Sequence, residues 1–141
     1  MTFPLAGLLR VRELQERLAA ERLSHATAER SEAEDARDRV SSSLAEIAVS
    51  VGDPRMLLAM AAARSAGSSA LSDLQALTEL RRAEEARAKS AHLEARRELK
   101  GLERLELAHR ARTAKAQRDA EQSALDEIAV VRSARREGSA A

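Results

Sequence analysis

The 141-residue chain has no cysteine, tryptophan or tyrosine and a single phenylalanine, Phe3. Without cysteine, disulfides, thiolate catalysis and zinc–thiolate sites are excluded. The chain also has only five glycines and two prolines, so it is poor both in the aromatic residues that strands favour and in the residues that mark turns. A globular domain with a thick core is therefore not expected.

The chain also lacks an excess of positive or negative charge, because it has 24 basic and 23 acidic residues. A nucleic-acid-binding protein would carry a lopsided basic face, so nucleic acid is not an expected partner. No stretch approaches the ~18 apolar residues of a membrane span, and the opening residues lack the basic flank and apolar run of a signal peptide. We expect a cytoplasmic protein without an integral membrane span.

Arginine, glutamate, alanine and leucine are abundant, and 33% of the residues are charged. This is the composition of a coiled coil or a long helix. A seven-residue repeat of apolar residues runs through the first half of the chain: Ala26, Ala33, Val40 and Ile47. Arg30 and Arg37 stand where the companion row should be apolar. The stripe shifts between Leu18 and Leu23, which predicts a stutter.

Near the midpoint, Gly67-Ser68-Ser69 separates two helical segments of nearly equal length. Glycine can end a helix in the left-handed conformation and serine can cap the next one, so the chain is expected to fold back here. The predicted fold is all-α, an elongated two-helix antiparallel coiled-coil hairpin that forms a single domain. Its parts are a first arm over residues 4–66, a tip at 67–69, a second arm over 70–137 and a frayed tail at 138–141.

Folding at this tip predicts a register for the hairpin. Ile128 would meet Leu8, and Leu102 would meet Ala33, so that the apolar stripes of the two arms agree. Many layers pair alanine with alanine, which contributes much less than the ~1.5–3 kcal/mol of a buried leucine. The hairpin is therefore expected to be marginally stable by itself.

The first arm is interrupted at Gly52-Asp53-Pro54. Aspartate is a good N-cap and proline a good first helical residue, so one helix is expected to stop near Val51 and another to restart at Pro54. The sequence leaves open whether residues 54–66 extend the first arm or fold back.

The sequence contains no arrangement of residues that is typical of a catalytic site. His25, His92 and His109 lie far apart and not in a metal-binding spacing, and no Gly-rich phosphate loop occurs. The carboxylates lie on charged helix faces, where no pocket would exclude water or shift the pKa of a general acid or base. We therefore expect that the protein is not an enzyme and that it binds no metal and no cofactor.

Two surfaces stand out from this background. The segment from Met56 to Ala63 is apolar and has no charged residue; it either packs on its own hairpin or forms an exposed docking surface, since methionine-rich faces adapt to partners. At the predicted open end, arginines gather from both termini: Arg10, Arg12, Arg132, Arg135 and Arg136. Nearby carboxylates dilute that charge, so plain solvation is the first interpretation and an acidic protein partner the second.

The termini resemble the FliJ family, the small coiled-coil stalk proteins of the flagellar type III export apparatus. The family opens with a pattern close to F-x-L-x-x-L-L-x-V/L-R-E, which is matched here by Phe3, Leu5, Leu8, Leu9, Val11, Arg12 and Glu13. Near its end the family tends to carry E-x-K-x-L-D-E-x-A-x-x-R, which is matched by Glu121, Leu125, Asp126, Glu127, Ile128, Ala129 and Arg132. Ser123 replaces the usual lysine.

The resemblance implies a two-helix coiled coil similar to the rotor stalk of rotary ATPases. Its paired termini would enter the hexameric export ATPase and promote its assembly and activity, and the hairpin would contact the cytoplasmic domain of the export gate and export chaperones. Such a protein would be peripheral, at the cytoplasmic face of the inner membrane at the flagellar base. The ATPase-binding residues would be Leu5, Leu8, Leu9, Arg12, Leu125, Asp126, Glu127, Ile128 and Arg132.

The family's gate contact lies toward the hairpin tip and uses aromatic residues, which this chain lacks there. Met56, Leu57, Leu58 and Leu74 are the substitutes we assign to export-gate or chaperone binding. Two other classes of function compete with the stalk. One is a scaffold that dimerises through the same seam without an ATPase, and the other is a secretion chaperone that shields an export substrate through Met56 to Ala63.

Overall fold

A computed structural model describes residues 2–47 and 53–140. These residues form two helices, α1 over Ala6–Glu46 and α2 over Pro54–Ser139, and no strand occurs in the described ranges. The helices pack against each other in antiparallel directions. The prediction of an all-α two-helix coiled-coil hairpin is confirmed.

In α1 the side chains that face α2 recur at alternating steps of three and four residues, which is the heptad spacing of a coiled coil. The deepest of them are Ala19, Ala26 and Ala33, of which Ala33 is 5% exposed. This row passes Leu23 without a shift, whereas Leu18 is 41% exposed and lies off it. The predicted stutter between Leu18 and Leu23 is therefore wrong, because Leu18 is not a seam residue.

The restart of the helix at Pro54 is confirmed. The Asp53 carboxylate accepts a hydrogen bond from the Arg55 backbone N–H at 3.3 Å, and the Asp53 carbonyl accepts from the N–H groups of Met56 and Leu57 at 2.9 and 3.2 Å. Asp53 thus caps α2 and Pro54 occupies its first turn, where a missing N–H costs nothing. The predicted stop near Val51 lies outside the described residues, whereas α1 ends earlier, at Glu46.

The predicted tip at residues 67–69 is wrong, because α2 runs through it without interruption. No glycine among the described residues has a positive φ, so Gly67 does not end a helix. Its role is close packing, since a Cβ at this position would clash with the side chain of Leu44. Residues 54–66 therefore fold back as the start of the second helix, and the two arms are unequal, with 41 and 86 helical residues.

The chain divides into two compact units, one from Leu14 to Arg96 and the other from the residues up to Glu13 with those from Arg97 onward. In the first unit the Arg64 guanidinium donates to the Ile47 carbonyl at 3.0 Å, and Glu16 contacts His92 at 2.9 Å. Ala33 lies in the same groove as Leu77 and Arg81, not opposite Leu102. The predicted register is therefore wrong, and its error follows from the misplaced tip.

In the second unit Arg12 forms an ion pair with Glu98, and the ring of Phe3 lies 5.5 Å from that of His109. Leu102 is buried, at 9% exposure. In this register Phe3 lies level with His109, and Thr2 and Phe3 share a groove with α2 residues as far as Gln117. Every residue from Ala114 to Ala140 is exposed. We call residues 114–140 the C-terminal segment. It remains helical to Ser139, so the predicted frayed tail begins within the helix.

Candidate functional site

A network of charged side chains joins α1 to α2 within the unit from Leu14 to Arg96. Arg30 occupies a seam position and lies 2.7 Å from Glu85 and 2.6 Å from Glu34. Glu34 also pairs with Arg82 at 3.0 Å, so one carboxylate joins arginines from both helices. An arginine at a heptad position thus finds two carboxylates instead of an apolar neighbour. Arg37, the other unexpected arginine, contacts Asp38 at 2.7 Å.

Arg81 and Arg82 each pair with carboxylates on both helices. Hydrogen bonding to Glu84 raises the pKa of Arg81, and hydrogen bonding to Glu34 raises the pKa of Arg82. Both groups therefore stay charged at all physiological pH values. This network can hold the register of an alanine-rich seam, because a slip of seven residues would separate its partners while still pairing alanine with alanine.

The first half of the predicted ATPase site lies immediately before α1 and on its first turns. Leu5 and Leu8 are 39% and 43% exposed, whereas Leu9 is half-buried on the seam. Arg12 is also half-buried and paired with Glu98. Only part of this set is therefore available to a partner.

The second half of that site lies on the C-terminal segment, where Leu125, Asp126, Glu127, Ile128 and Arg132 are all exposed. The structure does not bring the two halves together. Ile128 lies 19 residues beyond His109, the residue level with Phe3, which is roughly 28 Å along α2. The predicted gathering of arginines from both termini fails for the same reason, because Arg132 and Arg135 extend past the start of α1.

The C-terminal segment has its own apolar face, which sequence reasoning identified only in part. Ala124, Ile128 and Val131 recur at steps of four and three, and with Glu127, Arg132 and Arg135 they line one shallow depression. Ile128 and Val131 are 50% and 45% exposed. The spacing was visible in the sequence, but the assumed pairing with α1 concealed that this face stays open.

This face does not continue the packed row of α2. That row runs through Leu99, Leu102, Glu106, His109 and Thr113. The same steps would next reach Ala116, Ala120, Ser123 and Glu127, which are small or charged. The apolar stripe resumes one position later, at Ala124, Ile128 and Val131, as after the insertion of one residue in a heptad pattern. The C-terminal segment is therefore not patterned as an extension of the intramolecular seam.

The predicted export-gate residues do not form one surface. Met56, Leu57 and Leu58 lie in the first turns of α2 and are 55%, 47% and 73% exposed. Leu74 is half-buried on the seam, and its carbonyl accepts a hydrogen bond from the buried Thr78 hydroxyl at 2.8 Å. It lies 16 residues from Leu58, or roughly 24 Å along the helix.

Within the described residues no group of three or more histidine, aspartate or glutamate side chains is arranged to hold a metal ion. The His109 ring packs against Phe3, and its buried Nε2 has no hydrogen-bond partner in the described part of the chain. Neither of the two described helices is long and apolar enough to cross a membrane. The surfaces on which a partner could act are therefore the exposed helix faces.

Two unequal helices, a heptad seam and an exposed terminal face define an antiparallel coiled-coil protein. The chain belongs to the FliJ family, because the family model described as "Flagellar FliJ protein" matches residues 1–138. Membership makes it a coiled-coil protein related to flagellar export, as the terminal motifs indicated. No curated protein and no solved structure matches the chain.

Proposed function

We propose that this protein is a stalk of the flagellar export apparatus, which binds the hexameric export ATPase and promotes its assembly and activity by contact and not by catalysis. The observation that carries the proposal is the open apolar face of the C-terminal segment, which holds one of the two family motifs. Ile128 and Val131 lie on that face and are about half exposed. The protein would act at the cytoplasmic side of the membrane at the flagellar base.

The unequal arms change how such a stalk would enter the ring. A single helix with its side chains is about 10–12 Å across, so the C-terminal segment can enter an opening that a helix pair could not. Leu5 and Leu8 would then contact the ring nearer its rim. Contacts that differ between nucleotide states of the ring would bias its assembly and turnover, because only differential binding shifts an equilibrium.

The test mixes the purified chain with the export ATPase of the same organism and follows ATP hydrolysis and hexamer formation together. We expect stimulation by the native chain and none by Ile128→Asp. Val130→Asp is the matched control, since Val130 is 65% exposed and lies off the apolar face. Both variants should keep the native circular dichroism, because neither residue packs against another part of the described chain.

Full stimulation by Ile128→Asp would remove the C-terminal segment from the ATPase contact. Loss of stimulation in Leu8→Asp alone would move that contact to α1. If the native chain itself neither binds nor stimulates the ATPase, the stalk function is wrong and a scaffold function takes its place.

A second contact, to the export gate or to a chaperone, is proposed at Met56, Leu57 and Leu58. Deleting residues 54–63 would remove the first turns of α2, so a point replacement is the cleaner test. Leu58→Ser changes the most exposed of the three residues. It should weaken binding to the gate domain or to a chaperone and leave ATPase stimulation unchanged. Unaltered binding of both partners would exclude this surface.

A further inference from the structure

We propose that the open face of the C-terminal segment is covered, in the free protein, by the same segment of a second copy running in the opposite direction. The proposal does not rest on the ATPase contact, because the occupant is this chain itself. Three features of the segment support it: the order of its charges, the position of its apolar residues and its reach beyond α1.

The charges of the segment are arranged in blocks. Between Asp119 and Arg136 the acidic residues are Asp119, Glu121, Asp126 and Glu127, and the basic residues that follow them are Arg132, Arg135 and Arg136. Lys115 and Arg118 precede the acidic block, and Glu137 follows the basic one. Two copies in parallel would place like charges together, whereas two antiparallel copies place each acidic block beside the other copy's basic block. Opposite charges at these flanking positions select the orientation of coiled coils.

The apolar residues lie between the two blocks. A two-fold axis between Ile128 and Val131 would bring the Ile128 of each copy next to the Val131 of the other. Glu121 lies at one end of the stripe and Arg135 at the other, so the same axis brings each glutamate near the other copy's Arg135 and Arg136. The face is therefore complementary to itself, as a closed two-fold interface requires.

The reach of the segment makes the pairing sterically possible. In this arrangement Ser139 of one copy lies level with about residue 120 of the other, short of Thr113, where the packed row of α2 ends. The second copy therefore does not displace α1. Most helical stability in proteins comes from packing of an amphipathic face, so a partner along its open face would also stabilise the segment.

The first experiment is sedimentation equilibrium of the full chain without any ATPase, over concentrations from about 1 µM to 1 mM. We expect a reversible dimer. Ile128→Asp should weaken dimerisation at least tenfold, and Val130→Asp should change it less than twofold. A native chain that stays monomeric throughout overturns the proposal, and so does equal weakening by both variants.

A charge exchange tests the orientation. Glu121→Arg and Arg136→Glu should each self-associate less than the native chain, and an equimolar mixture of the two should form a heterodimer. A mixture that associates no better than its components contradicts the antiparallel arrangement.

Spin labels measure the orientation directly, and the absence of native cysteine allows single sites to be labelled. Labels on Ala129→Cys, near the axis, should lie within roughly 20 Å of each other, whereas labels on Lys115→Cys should lie roughly 40 Å apart. Short distances at both sites would mean a parallel dimer and would overturn the proposal. Because no ATPase is present, failure here and failure of ATPase stimulation are separate results.

Discussion

The paired stretch of α2 from Arg97 to Thr113 and the C-terminal segment that follows it differ in packing although they belong to one helix. In the paired stretch Leu102 is 9% exposed, whereas in the C-terminal segment Leu125 is 62% exposed. Both contain leucine, alanine, arginine and glutamate. Whether an apolar residue is covered is therefore decided by register, which follows from where the chain turns, and not by local composition.

The largest expected difference comes from placing a carboxylate in each region. Leu102→Asp buries a charge without a partner and should lower the free energy of unfolding by about 3–5 kcal/mol. Ile128→Asp should change it by less than about 0.5 kcal/mol, as for an exposed site. Urea denaturation followed by circular dichroism, below the concentration at which the chain self-associates, measures both. Equal losses would mean that the C-terminal segment packs within the monomer.

Adding volume should separate the regions next. Ala33 is 5% exposed at the seam, so Ala33→Leu should overpack it and cost about 1–3 kcal/mol. Ala124→Leu enlarges an open face and should leave the monomer's unfolding free energy unchanged. If Ala33→Leu is stabilising, the helices can separate locally to accept the larger side chain, and the seam is looser than its burial indicates.

Removing a carboxylate tests the charged network. Glu85 accepts from Thr27 at 3.0 Å and pairs with Arg30 at 2.7 Å. Glu85→Ala should cost about 1–2 kcal/mol, between the values for exposed and buried ion pairs. Glu127→Ala, in the C-terminal segment, is the control and should be neutral in the monomer. Thermal unfolding at low ionic strength resolves the two, and a neutral Glu85→Ala would remove the network from the forces that fix the register.

Replacing glycine by alanine should have the smallest effect on the free energy of unfolding. The direction of that effect can differ between sites. Gly101 has no atom within 4 Å of a built Cβ, so Gly101→Ala should stabilise the helix by about 0.8–1 kcal/mol. Gly67→Ala gains the same propensity, but Leu44 must move to admit the methyl group. We expect a smaller gain or a net loss in thermal unfolding. A full gain at Gly67 would show that Leu44 relocates without cost.

Composition and heptad spacing were sufficient to predict an all-α fold of two antiparallel helices, and the Asp53-Pro54 pair was sufficient to predict a helix start at Pro54. The position of the tip was not predicted correctly. The sequence offers two glycine-containing stretches, Gly52-Asp53-Pro54 and Gly67-Ser68-Ser69, and only tertiary packing distinguishes between them. At Gly67 the deciding factor is the approach of Leu44, a residue more than twenty positions away. At Pro54 the deciding factors are local, a side-chain cap and a proline, and there the prediction was correct.

The motifs assigned the ATPase-binding residues one by one, and that assignment stays a prediction, but the residues do not form one surface. The motif residues from Leu125 to Arg132 are exposed, as a binding role requires, yet they do not meet Leu5 and Leu8. An alanine-rich seam accepts several registers with similar energy, so periodicity alone could not choose among them. The observed register brings Arg30 next to Glu85. These two residues are far apart in the sequence, so no spacing rule could predict that they pair.

The order in which the chain is synthesised gives the unequal arms a further consequence. By the time the ribosome has released Thr113, every part of α2 that contacts α1 already exists. Hairpin closure can then begin at the turn, from contacts close in sequence, which form fastest. The residues of the C-terminal segment are synthesised after that point. The nascent chain can therefore pair α1 with α2 before its C-terminal segment emerges. This order limits mispairing between neighbouring nascent chains.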